Sequence, residues 1–168
     1  MGGTIVDIAS GNHSNTTNNH SIWVTMAYQS MYDIYKYNDG AQAPGWHEIE
    51  YSDFWPSKVS CDPWSGDLAA FVGVGPEIHV FSDYGSGSGK WLTFNGPPAG
   101  HDPMDIGITS IDISELITTD ADGGLWKTDV NDNCVKLKSD AHYYGVCGDH
   151  YYYYYLLSSN KTVRRGTW

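Results

Sequence analysis

The chain has 168 residues, the length of one domain with its own core, and carries nine Lys and Arg against 20 Asp and Glu. The formal charge of −11 and a pI near 4.7 exclude nucleic acid and anionic membrane surfaces as partners, because both demand a basic footprint. Aromatic residues make up 14% and charged residues only 17%, with 19 Gly for tight turns, a profile that predicts an all-β protein.

In chain order, a short alternating strand is predicted over Thr4–Ala9, followed by a polar loop from Gly11 to His20 with four Asn and no apolar residue. Ser21–Gln29 and Tyr32–Asn38 read as a hairpin, and a further strand runs from Trp46 to Tyr51, with Trp46, Glu48 and Glu50 on one face. A second unit contains strands at Lys58–Cys61, Asp67–Gly73, Glu77–Ser82 and Lys90–Phe94. The third is read as Thr109–Ser114, Glu115–Thr119, Leu125–Thr128 and Cys134–Lys138, with Asp120-Ala-Asp-Gly-Gly as the hairpin turn between its middle strands. The fourth has Gly145–Asp149, Tyr151–Leu157 and Lys161–Arg165, with no outer strand after the third.

Ile34, Ile78, Leu125 and Val163 hold equivalent places in these units, at steps of 44, 47 and 38 residues. A repeat of roughly 40 to 50 residues built from short strands has the length of a propeller blade, and no sustained 3.6-residue periodicity supports a helical repeat. Residues 1–168 therefore read as one domain, a small β-propeller-like repeat of about four blades. Closure comes from a three-stranded last blade, from the other terminus or from a second chain. An open edge favours a homo-oligomer.

The N-terminus has no basic start and no apolar run, which reads as cytoplasmic, and nothing in the chain reaches the length of a membrane span. Cys61, Cys134 and Cys147 read as reduced thiols, with a Cys134–Cys147 disulfide as the alternative. His142, Cys147 and His150 are zinc-competent residue types at spacings that match no standard module. Asp120-Ala-Asp-Gly-Gly is half of a calcium loop without the remaining ligands. No metal and no cofactor is expected. Neither a nucleophile elbow nor a zinc-protease motif occurs, so the chain reads as a non-enzyme.

Trp23, Trp46, Trp91 and Trp126 sit at comparable places on strands, and Trp55 and Trp64 flank the first connection between units. Tryptophan on a blade packs against a neighbouring sheet. It can equally serve as a platform for the apolar face of a pyranose when Asn, Asp and backbone donors stand beside it. Trp55, Trp64, Trp91 and Trp126 are the candidate platforms, with Asp62, Asp83, Asn95 and Asp120 as polar partners. The five tyrosines Tyr151–Tyr155 place rings on both faces of one strand, either as core or as contact surface.

Trp46-His-Glu-Ile followed by Lys58-Val-Ser-Cys, Ile22-Trp-Val-Thr followed by Ile34-Tyr-Lys-Tyr, and Trp91-Leu-Thr-Phe-Asn-Gly followed by Ile106-Gly-Ile-Thr resemble the tectonin-type β-propeller lectins. That resemblance implies a multivalent, cytosolic, defensive lectin that recognises glycans at shallow repeated sites. A protein-interaction propeller with an aromatic patch and no sugar binding is the alternative.

Overall fold

The computed structural model describes residues 3–12, 20–28, 31–38, 45–49, 54–63, 66–82, 89–108, 115–149 and 151–167. They form fifteen strands in four antiparallel sheets, each with its strands in sequence order, a four-bladed β-propeller arrangement. Blade 1 contains β1 (Thr4–Asn12), β2 (His20–Tyr28), β3 (Met31–Asn38) and β4 (Gly45–Glu48). Blade 2 contains β5 (Pro56–Cys61), β6 (Leu68–Gly73), β7 (Glu77–Ser82) and β8 (Lys90–Asn95). Blade 3 contains β9 (Pro103–Ile108), β10 (Glu115–Asp120), β11 (Leu125–Asp129) and β12 (Cys134–Lys138). Blade 4 has three described strands, β13 (Ala141–Gly148), β14 (Tyr152–Leu157) and β15 (Val163–Thr167).

The core lies between the blades, so a middle strand is apolar on both faces. In β6, Ala69 and Phe71 pack toward Trp23 and Ile34 of blade 1. Leu68, Ala70 and Val72 pack on Ile106, Ile108 and Leu116 of blade 3. This is why Leu68-Ala-Ala-Phe-Val is an unbroken apolar run rather than an alternation. Full burial of side chains such as Leu68 and Phe71 contributes roughly 1.5–3 kcal/mol each. Trp23 meets Phe71 and Phe81 edge-on and donates its indole N–H to the Gly66 carbonyl at 2.8 Å. Gly66 has a φ of +66°, and a Cβ there would press on Ser21. Only glycine suits that turn.

The inner strands follow one another as β1, β5, β9 and β13, and the second strand of each of the first three blades leans on the next inner strand. Among the described residues, no comparable packing joins blade 4 to blade 1. The four blades form an arc.

The third unit adds a strand. Its first described strand is Pro103–Ile108, which the sequence reading did not place, and the expected strand Thr109–Ser114 lies outside the described residues. The alternation of Met104, Ile106 and Ile108 carries the strand, with Ile106 and Ile108 buried against blade 2 and opposite Thr118 and Leu116. The tyrosine run resolves by strand period. Tyr153 and Tyr155 are buried against Ile117 and Leu125, Tyr152 and Tyr154 are half-buried on the opposite face, and Tyr151 precedes the strand and is exposed.

The three cysteines are free and lie in different blades, so the alternative disulfide is not formed. Burial, reinforced by Asp62, pushes the Cys61 thiol up to about 12. Burial also raises the half-buried Cys134 and, with Asp105 and Asp149 adding to it, the exposed Cys147. Maleimide labelling at pH 7.5 followed by peptide mass spectrometry should modify Cys147 first and leave Cys61 intact until the fold opens. Early loss of Cys61 would contradict the packing between blades 1 and 2.

Candidate functional site

Antiparallel pairing brings the start of each inner strand level with the end of the second strand: Pro56 faces Gly73, Pro103 faces Asp120, and Ala141 faces Leu157. At that end of the arc the inner strands border a cavity of about 430 Å³. Its wall includes Val6 of β1, Lys58 of β5, Met104 of β9, Tyr144 of β13 and Val74 from the turn after β6. Val74 and Tyr144 are exposed large apolar side chains, as is Trp55 just before β5, whose backbone lies against Gly73. Tyr32 stands 6.5 Å from Trp55 and nearly parallel to it, forming an aromatic ledge beside the cavity.

The charges at this mouth are arranged by the inner strands. Asp7 of β1 accepts the Val59 N–H at 2.9 Å, and Asp105 of β9 accepts those of Gly145 and Val146 at 2.8 and 3.2 Å. Each carboxylate therefore ties its inner strand to the next one along. Lys58 Nζ lies 4.0 Å from Asp7 and 5.1 Å from the centre of the Tyr144 ring. Burial pushes the Asp105 carboxyl above the usual range, against three backbone N–H groups and Lys58, which draw it down. Asp102 at the rim is exposed. The mouth is thus an apolar cup that holds the Lys58 amine and, at its rim, the Asp102 carboxylate, while Asp7 and Asp105 are taken up by backbone N–H groups between the inner strands. It suits an apolar side chain accompanied by a positive charge.

A second constellation, at the same end of blade 3, is sealed. Asp120 is fully buried. Its Oδ1 accepts the N–H groups of Asp122 and Gly124 at 2.9 and 2.6 Å, and its Oδ2 accepts the Trp126 indole N–H at 2.8 Å. His101 Nδ1 stands 3.0 Å from the same Oδ2. Burial drives the Asp120 carboxyl up, but the indole, the two backbone donors and His101 outweigh it and leave it below its ordinary value. A Cβ on Gly124 would collide with both Asp120 and Trp126. The Asp120-Ala-Asp-Gly-Gly turn is accordingly the β10–β11 hairpin turn, closed on a tryptophan.

The eight sequence candidates do not gather in one place. Trp55 lies exposed beside the mouth. Trp91 is half-buried among Phe54, Phe71 and Phe81. Asp62 is buried in the turn before β6, its backbone joined to Leu68 and Gly66. Asn95 is exposed and gives its backbone and side-chain N–H groups to Asp132, while its carbonyl accepts the Thr128 hydroxyl, bonding blade 2 to blade 3. Asp120 and Trp126 hold each other in the interior. Trp64 and Asp83 lie outside the described residues.

Sequence reasoning missed Lys58, Val74, Met104 and Tyr144, because nothing local marks residues contributed by three blades to one opening. It also missed His101, for which a signal exists. Gly100-His101 ahead of the blade is half of a propeller-repeat signature, Gly-His … Trp-Asp, whose second half this chain does not carry, since Lys127 follows Trp126.

No known family model matches the chain, and no curated protein matches it by sequence. Its fold is similar to that of solved propellers. The β-propeller domain of Cps50 (Swd1) from Myceliophteria thermophila aligns with 97% of this chain at 12% identity and a TM-score of 0.58. A chain of a humanized mutant of the Chaetomium thermophilum Polycomb Repressive Complex 2, solved with the inhibitor GSK126, aligns with 98% at 14% identity and a TM-score of 0.62. This chain spans 52% of the first structure and 38% of the second. At these identities the likeness establishes the fold: this is a β-propeller arrangement of four blades.

Proposed function

We propose that the chain is a protein-interaction propeller that holds a partner segment at the mouth formed by β1, β5, β9 and β13. The observation that carries this reading is the mouth itself. Val74 and Tyr144 are exposed in the wall of a cavity that has Asp102 at its rim, and the exposed Trp55 stands beside it. Exposed apolar groups clustered within a polar rim are the usual mark of a recognition surface. With a net charge of −11, the chain favours a basic segment with an aliphatic or aromatic anchor. One of the similar solved structures is described as part of a multiprotein complex, which supports the same class of role.

Panning a peptide library on the immobilised protein tests this reading. Enriched peptides should pair Lys or Arg with a large apolar residue and bind more weakly as salt rises. Val74→Asp should weaken them at least tenfold, while Val135→Asp, on the remote strand β12, should leave them unchanged. Equal loss in both variants, or none in either, would refute the mouth as the site. The lectin reading retains one support, the exposed Trp55–Tyr32 ledge. Selective glycan-array binding that disappears in Trp55→Ala would replace the peptide reading with it.

A further inference from the structure

The mouth has a neighbour between blades 2 and 3, a cavity of about 300 Å³ walled by Pro76, Glu77, Pro97, Pro98, Ala99 and Cys134. Both cavities lie between the same two stretches of backbone. The turn after β6 gives Gly73 and Val74 to the mouth and Pro76 and Glu77 to the second cavity. The stretch from β8 into β9 gives Asp102, Pro103 and Met104 to the mouth and Gly96 to Ala99 to the second cavity. The two stretches touch where Gly96 lies on the Pro76 carbonyl, so closely that a Cβ on Gly96 would fall 1.9 Å from that oxygen. Gly75 stands between Val74 and Pro76, Gly100 stands between Ala99 and Asp102, and a Cβ on either would meet nothing within 4 Å. His101 turns its ring away, to Asp120 and Trp126. No side chain at these points divides one cavity from the other, and together they form a furrow.

The furrow is apolar in its walls and acidic at its edges. Three prolines and Ala99 line the second cavity, and the Glu77 side chain beside them is 60% exposed. His79 Nε2 lies 3.7 Å from the Glu77 carboxylate. Burial, opposed by Glu77, holds the His79 ring below its ordinary 6.5, so the ring is neutral at pH 7 and leaves the carboxylate charge uncompensated. Asp102 places a second exposed carboxylate at the mouth. Among the described residues that line the two cavities, Lys58 is the one cation, and it stands against Asp7 and the Tyr144 ring.

The spacing of the cavities suits an extended chain. Their shared wall passes from one to the other in two residues, Val74 to Pro76, a span of at most about 7 Å. Side chains i and i+2 of an extended segment stand about that far apart and point the same way. Recognition of extended segments commonly seats alternate side chains in separate pockets.

We infer that the furrow holds one extended basic segment with two apolar anchors at i and i+2, one in the mouth and one among Pro76, Pro97 and Pro98, its Lys or Arg side chains reaching Asp102 and Glu77. The inference rests on the mouth as the partner site and adds the pocket that decides which basic segments fit. A single apolar anchor fills only one of the two cavities, and an acidic segment meets like charge at both Asp102 and Glu77.

Fluorescently labelled peptides taken from the panning experiment, titrated by anisotropy, test this. They should carry large apolar residues two positions apart with Lys or Arg beside them. Ala99→Trp fills the second cavity from an exposed position, so it should keep the parent's circular dichroism and weaken the peptides about tenfold. Replacing one anchor of the peptide by Gly should make it indifferent to Ala99→Trp, and replacing the other should make it indifferent to Val74→Asp. Cys134 gives a readout that needs no variant. Bound peptide should slow its alkylation by iodoacetamide and leave that of Cys147, which lines neither cavity, unchanged. Val135 follows Cys134 on β12 and points to the other face of the strand, so Val135→Asp remains a control. Peptides that are lost in Val74→Asp but ignore Ala99→Trp and leave Cys134 labelling unchanged would overturn the second pocket while the mouth stands. A library that yields no binding peptide would overturn both.

Discussion

Replacing Asp120 by alanine should destabilise the fold by about 3–5 kcal/mol, a large part of the stability of a domain this size. Its carboxylate answers three donors at once: the Trp126 indole and the N–H groups of Asp122 and Gly124. Deleting it leaves buried donors without an acceptor, each worth roughly 1–3 kcal/mol, and frees the turn that begins β11. Asp120→Asn should lose less, because one oxygen can still accept the two backbone N–H groups while the amide opposes the indole donor. Thermal unfolding of the three proteins should rank parent, Asn and Ala, with the alanine variant about 10 °C below the parent. An alanine variant within a degree of the parent would dismiss the network as a stabilising element.

The same residue sets a pH dependence. The folded-state pKa of Asp120 lies below its ordinary 3.8. Its contribution is therefore fully present above that value and is lost as pH falls through the lower folded value. Asp105 has the opposite sign: its raised pKa penalises the ionised form, so stability falls as pH rises from 3.8 through its folded value. Removing Asp120 should flatten the acid limb of the parent's stability curve.

The second large effect is expected at the junction of blades 1 and 2. Lys36 is 1% exposed, its amine 3.2 Å from Asp67 and 5.0 Å from the Trp23 ring centre. Asp67→Leu should cost about 3–5 kcal/mol, because an ammonium is left in the interior without that counterion. Lys36→Met combined with Asp67→Leu should recover most of the loss, since an apolar pair avoids the desolvation of two charges. Urea unfolding of the four proteins forms a double-mutant cycle, with a coupling energy expected above roughly 2 kcal/mol. Simple additivity would mean that the pair does not act as a unit in the fold.

Fourteen-percent aromatic content, the spacing of Ile34, Ile78, Leu125 and Val163, and alternating strands were enough to read an all-β repeat of four blades from the chain alone. These are local properties. The side-chain period of a strand is two residues and the length of a repeat is countable, so both are written along the chain. Most strand positions followed. The first described strand of blade 3 was not read, because the alternation of Met104, Ile106 and Ile108 is short and follows a Pro- and Gly-rich stretch, and pairing with β10 is what makes it a strand.

What the tryptophans do was not written there. Trp91 and Trp46 have the same local pattern and the same place in a blade, yet one is packed and the other exposed, because only one has a preceding blade against it. Val163 and Ile34 differ for the same reason at the other end of the arc. The mouth, likewise, assembles Val6, Lys58, Met104 and Tyr144 from four blades across more than a hundred positions. The sequence by itself determined strands, repeat and face periodicity. Which of those faces meets another sheet, and which meets solvent, was decided only when the blades were set side by side, since burial depends on the neighbouring blade and not on the residue's own strand.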